Sequence, residues 1–204
     1  CMAAPADLLN LAALADELAA RGKGLVMVMG KGGVGKTTVA AALALALAAR
    51  GRSVHLSTTD PAAHLAATLA GEASGIELSR IDPALETQRY IDKVMAARGR
   101  ELDEAGRALL REDLKSPCTE EVAVFHAFAR IVSEARSHFV VLDTAPTGHT
   151  LLLMDATGAY HRQMTREFVG KASVHVVTPL MRLQDANYTR IILVTLPETT
   201  PVSQ

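Results

Sequence analysis

The stretch LVMVMGKGGVGKTT at residues 25–38 constrains the chain more than any other. Residues 25–29 form a short continuous apolar run ended by glycine, the pattern of a strand buried on both faces in a parallel sheet. Gly30, Lys31, Gly32, Gly33, Val34, Gly35, Lys36 and Thr37 then fit G-x-x-x-x-G-K-[ST]. Helix-forming residues follow over 38–50, so strand, glycine loop and helix come in the order a phosphate-binding loop requires. Glycines let the backbone wrap an anion with its N–H groups, and the helix N-terminus adds its positive dipole end. Lys36 supplies a point charge for the terminal phosphates, and the Thr37 hydroxyl is placed to ligate magnesium. The bland alternative is an ordinary glycine-rich strand-to-helix turn.

The rest of the chain fits around that unit. Residues 54–57 read as a second strand, and residues 139–142 as another. Residues 191–195 and 174–177 read as further short strands. Between them lie helical patterns over 6–21 (Leu8, Leu11, Leu14 or Ala15, and Leu18, with Asp7 as cap), 62–70, 86–114 and 119–136, the last with Val122, Phe125, Ala129 and Val132 on one face. Strands alternating with helices imply an α/β fold with a mostly parallel sheet and helices on both faces. Residues 1–24 read as linker and N-terminal helix, and 25–204 as the domain built on the phosphate loop. No closing helix is legible before Gln204, and Cys1 precedes Met2, so the expectation is a C-terminally incomplete domain and a fragment edge.

Composition excludes several classes. A formal net charge of −1 leaves no broad footprint for nucleic acid or an anionic membrane. Two cysteines, Cys1 and Cys118, cannot build a disulfide framework and suit a reducing cytoplasm. The longest apolar run, 39–49, is too short to span a bilayer.

Two carboxylates end predicted strands. Asp143 sits where ligands bind in open α/β sheets, and in a nucleotide hydrolase that carboxylate serves magnesium; otherwise it caps a turn. Asp60 either orients an attacking water or simply opens the Asp60-Pro61 turn. Lys31 is not demanded by the general motif. It is either solvated or brings charge to a neighbouring active site, as an arginine finger does.

GKGGVGKTT with its extra lysine, TTDPAAHL (58–65), DTAPTGHTLLL (143–153) and SPCTEE (116–121) together resemble the deviant-Walker-A ATPases of the arsenical pump-driving branch. The resemblance is strongest to the C-terminal ATPase half of a two-halved arsenite/antimonite pump ATPase. It implies ATP and Mg2+ as ligands, with Gly30 to Thr38 binding phosphates (Gly30, Lys31, Gly32, Gly33, Val34, Gly35, Lys36, Thr37 and Thr38). Lys31 would reach toward the facing half, Thr37 and Asp143 would serve magnesium, and Asp60 would orient water in a first switch. Residues 143–149 would form the second switch. Cys118, His149 and Ser116 would make or border a site for As(III) or Sb(III) as allosteric ligand within a helical region, 86–136. The resemblance further implies a facing ATPase half and a membrane arsenite carrier as partners, a place at the cytoplasmic face of the membrane, and neither nucleic-acid binding nor direct membrane insertion. Soft trivalent metalloids favour thiolate, which agrees with Cys118, although a lone free cysteine is commonly an inert small hydrophobe. A targeting ATPase for tail-anchored proteins shares the fold and is the alternative. It would need a Cys-x-x-Cys pair that the chain lacks.

Overall fold

A computed structural model describes residues 10–60, 65, 69, 75–145, 156–158 and 177–197. Five strands form one sheet: β1 (Gly24–Met29), β2 (Val54–Thr58), β3 (Ile76–Arg80), β4 (Phe139–Asp143) and β5 (Thr189–Leu193). Their order is β3-β2-β4-β1-β5, and every pair is parallel. The described helices are α1 (Leu11–Arg21), α2 (Lys36–Ala49), α3 (Pro83–Arg98), α4 (Glu104–Asp113), α5 (Pro117–Glu134) and α6 (Pro179–Gln184). Among the described residues, no helix is long and apolar enough to cross a membrane.

The apolar run of β1 is continuous because both faces of the strand are covered. Val26 and Val28 enter one core with Ala40, Leu43, Ala44 and Leu47 of α2 and with Ala15 and Leu18 of α1. Leu25 and Met27 enter the other, with Ala127, Phe128, Ile131 and Val132 of α5. β4 divides likewise, Phe139 and Val141 to the first core and Val140 and Leu142 to the second. Successive strand residues alternate faces, so the two helical layers share one set of strands.

Several boundaries differ from the sequence reading, each for a local reason. Asn10 is the N-cap of α1, its side chain accepting from the Ala13 N–H at 2.8 Å, rather than an interior helical residue. Asp7 and the rest of 6–9 lie outside the described residues. The single helical stretch over 86–114 is two helices: α3 starts earlier, capped by Asp82 with Pro83 in its first turn, and a 3-10 turn at Gly99–Glu101 ends it. Asp103 then caps α4, accepting from the Gly106 N–H at 2.8 Å. Helix α5 begins two residues before the expected 119, with Ser116 at its N-cap position and Pro117 and Cys118 in its first turn. Val122 is exposed, and the buried face of α5 runs instead through Ala123, Phe125, Ala127, Phe128, Ile131 and Val132. The last strand spans Thr189–Leu193 rather than 191–195. Strand β3 and the short α6 were not legible in the sequence. Most of the helix expected over 62–70, and all of the strand expected over 174–177 except residue 177, lie outside the described residues; residue 177 is not in a strand.

Candidate active site

β1, β2 and β4 end at one edge of the sheet, and the glycine loop rises from that edge. Gly30 leaves β1 with φ +153, and a Cβ there would stand 2.2 Å from the Val194 carbonyl oxygen. Val194 in turn donates its N–H to the Met29 carbonyl at 2.8 Å. The loop therefore begins in a space with no room for a side chain. Gly35 adopts a left-handed conformation (φ +92) as the N-cap of α2, which lets the helix begin at Lys36 without a reversal of the chain. Lys36 is buried, and its Nζ donates to the Lys31 carbonyl at 2.9 Å, so the loop closes around its own lysine. Gly32, Gly33, Gly35 and Thr38 are exposed, Lys31 is half-buried, and Val34 is packed inward. The loop thus presents its backbone outward at the N-terminus of a 14-residue helix, the setting for an anion.

Asp143 closes β4 in register with Val28 of β1 and Thr58 of β2. It is 0% exposed. Its Oδ2 accepts from the Thr37 hydroxyl at 2.8 Å and the Thr58 hydroxyl at 3.2 Å. Its Oδ1 is buried and, among the described residues, has no hydrogen-bond partner. Burial pushes the carboxyl above the ordinary carboxylate range, against the opposing pull of the two hydroxyls and Lys36, while Asp60 pushes it further up. A buried carboxylate with one oxygen unclaimed, beside a threonine hydroxyl and a basic loop, fits a hard divalent cation that takes oxygen ligands.

The ends of β2 and β4 are tied together by hydroxyls and amides. The Thr59 N–H donates to the Asp143 carbonyl at 3.0 Å, and the Ala145 N–H donates to Thr59 Oγ1 at 2.8 Å. Thr144 Oγ1 donates to the Val28 carbonyl at 2.8 Å, and the Asp60 N–H donates to Thr58 Oγ1 at 3.0 Å. Any change in how Asp143 is held is therefore felt directly at residues 58–60 and 144–145. Thr58, Thr59 and Thr144 were not singled out in the sequence; the threonines flanking each strand-end aspartate were the available signal.

The structure thus joins Thr37 to Asp143, sets Lys36 where its charge acts on that carboxylate, and links Asp60 to it through Thr58. The Cys118 thiol is exposed in the first turn of α5, whose N-cap position Ser116 occupies with its Oγ 3.2 Å from Thr119 Oγ1. Among the described residues, Cys118 belongs to no cluster of three or more histidine, cysteine or acidic ligands. His149 lies outside the described residues.

The sequence model of the anion-transporting ATPase family matches residues 23–192. The chain belongs to that family. As a member of that family it carries the P-loop NTPase fold, and the matched span includes the glycine loop, Asp60 and Asp143. An arsenical pump-driving ATPase of Escherichia coli is 59% identical over 194 residues, 95% of this chain and 33% of that protein. One from Acidiphilium multivorum is also 59% identical over 194 residues, with the same coverage. A putative arsenical pump-driving ATPase of Halobacterium salinarum is 32% identical over 151 residues, 69% of this chain and 23% of that protein. The chain spans about a third of the length of the relatives it matches at 59% identity.

Proposed function

We propose that the chain is a catalytic half of an ATPase that hydrolyses ATP on binding trivalent arsenic or antimony and so energises metalloid efflux through a membrane carrier. The observation that carries the ATPase reading is Asp143: a fully buried carboxylate joined to Thr37 at 2.8 Å, with its second oxygen unclaimed, directly beneath the glycine loop. The relatives named arsenical pump-driving ATPases supply the metalloid half of the proposal.

In this reading, the amides from Gly30 to Thr38 hold the phosphates, and Lys36 leaves the Lys31 carbonyl for the terminal phosphate oxygens. Thr37 and Asp143 hold magnesium, whose charge offsets that developing on the phosphates. Asp60 orients the attacking water for in-line displacement, and its N–H anchor on Thr58 fixes the carboxylate's backbone. Lys31 is half-buried on the loop and reaches toward a facing ATPase half. Cys118, with Ser116 and His149, contributes to or borders the metalloid site, with further thiolates from the facing half. The second switch, 143–149, links that site to Asp143. Its first residues are those hydrogen-bonded to β1 and β2, so displacement of 144–145 changes the seating of Asp143. The protein works at the cytoplasmic face of the membrane.

The alternative, a targeting ATPase for tail-anchored proteins, draws less support, since the relatives at 59% identity carry the arsenical name. Isothermal titration of MgATP into the 204-residue chain and its Lys36→Ala variant tests the nucleotide reading. Loss of one buried charge-assisted contact, about 3 kcal/mol, predicts roughly a hundredfold weaker binding. Equal binding rejects the site. Stimulation of turnover by arsenite, against stimulation by an apolar tail peptide, separates the two functional readings.

A further inference from the structure

At the opposite edge of the sheet from the glycine loop, three side chains converge that the nucleotide site does not use. His55 is the second residue of β2, Glu134 ends α5, and His138 stands immediately before β4. One ligand atom from each lies within 4.8 Å of the other two. His55 faces away from the apolar core that Val54 and Leu56 enter, so it brings a polar group onto the α5 side of the sheet.

The donor pattern gives this cluster its meaning. Ser79 Oγ donates to Ser57 Oγ at 2.8 Å. With its proton committed there, Ser79 Oγ is an acceptor, at 2.7 Å, for the Nε2–H tautomer of His55. In the neutral imidazole that tautomer leaves Nδ1 as a lone pair, and Nδ1 stands 2.7 Å from Glu134 Oε2. Two acceptors at that separation share either a proton or a metal ion. His138 adds the third group. Its Nδ1 is 3.0 Å from Ser137 Oγ, while its Nε2 is buried and without a hydrogen-bond partner among the described residues. In that tautomer each histidine has one nitrogen beside a serine hydroxyl, while the other is available to a metal ion: His55 Nδ1 next to Glu134, and His138 Nε2 unpartnered among the described residues. That division between an oriented nitrogen and a ligating nitrogen is the one metal-binding histidines show.

We propose that His55 Nδ1, Glu134 and His138 Nε2 form a binding site for one borderline divalent transition ion of the zinc, cobalt or nickel class. Two imidazoles and a carboxylate are the donor set for such ions, with a fourth, tetrahedral position left to water. Ligand atoms around a tetrahedral ion with bonds of about 2.0 Å stand roughly 3.3 Å apart. Side-chain rotation opens the 2.7 Å separation of His55 Nδ1 and Glu134 to that value and brings the remaining separations, bounded at 4.8 Å, toward it. Glu134 is about a third exposed, which gives the ion a way in, whereas His55 is nearly fully buried. The site lies roughly 10 Å along β2 from Thr58, at about 3.3 Å per residue. It is therefore separate from the magnesium ligands and from Cys118, and it joins β2, the end of α5 and the turn into β4.

The test uses the 204-residue chain with Cys1→Ser and Cys118→Ser, so that no thiolate competes, titrated with Co2+ in nucleotide-free buffer. One Co2+ per chain with the intense visible bands of a tetrahedral N/O site is expected, displaced by Zn2+. His138→Gln, and independently Glu134→Gln, should weaken binding by at least about tenfold while leaving the circular dichroism spectrum of the metal-free protein unchanged. If His138→Gln does not fold, the more exposed Glu134→Gln decides alone. Absent binding, a weak octahedral spectrum, or equal affinity in parent and variants overturns the proposal and leaves His55 and Glu134 as a proton-bridged pair.

Discussion

Replacing Asp143 by Asn separates what this carboxylate does for the fold from what it does for the nucleotide. In the free protein the carboxylate is a burden. It is removed from water, burial raises its pKa, and only one of its oxygens is hydrogen-bonded. Asparagine keeps an oxygen for the Thr37 and Thr58 hydroxyls and removes the buried charge, whose effective penalty is several kcal/mol. Against that, the new amide group stands where Oδ1 was unpartnered and costs about 1–3 kcal/mol as an unsatisfied donor. The balance favours the variant by about 1–2 kcal/mol near neutral pH, which is roughly 3–6 °C in Tm for a domain of this size. The sign of the pH dependence follows. A carboxyl whose folded-state pKa is raised binds its proton in the folded state first, so wild-type stability recovers as pH falls through the raised value. The advantage of Asp143→Asn is therefore full above that value and gone below the ordinary carboxylate pKa. With MgATP the order reverses: wild type gains stability with ligand concentration and the variant gains far less, because its divalent ligand is lost. Thermal melts of both proteins across pH 4–8 (about that span covers the carboxylate range), with and without MgATP, make the measurement. A variant less stable than wild type without nucleotide, or equally stabilised by MgATP, refutes the reasoning.

Gly30→Ala should cost about 3 kcal/mol or more in urea unfolding, because its Cβ would lie 2.2 Å from the Val194 carbonyl in a backbone conformation that disfavours side chains. Phe128→Ala, which empties one of the largest fully buried positions between α5 and the sheet, should cost about 3–5 kcal/mol by the same assay. Cys118→Ser should change stability by no more than about 0.5 kcal/mol, since the thiol is exposed, while lowering metalloid stimulation of ATP turnover.

The chemistry of the glycine loop was written in contiguous residues, and so were the strands that hold it. The motif from Gly30 to Thr37 needs only local order to be recognised, and β1 announced its double burial by an unbroken apolar run. Local capping was legible in principle too, as Asn10, Asp82 and Asp103 each accept from the N–H three residues on. β3 escaped because it is an edge strand with a charged Glu77 and Arg80, and its pairing with β2 fixes it where its own pattern does not.

Sequence alone determined that this chain has a phosphate-binding strand, loop and helix, because that unit is built from neighbours along the backbone. Only the tertiary structure decided which groups, distant along the chain, meet: Thr37 with Asp143, 106 positions later, and His55 with Glu134, 79 positions later. Strand register places those side chains, and register is settled by the packing of two helical layers against one sheet, a quantity no single segment contains.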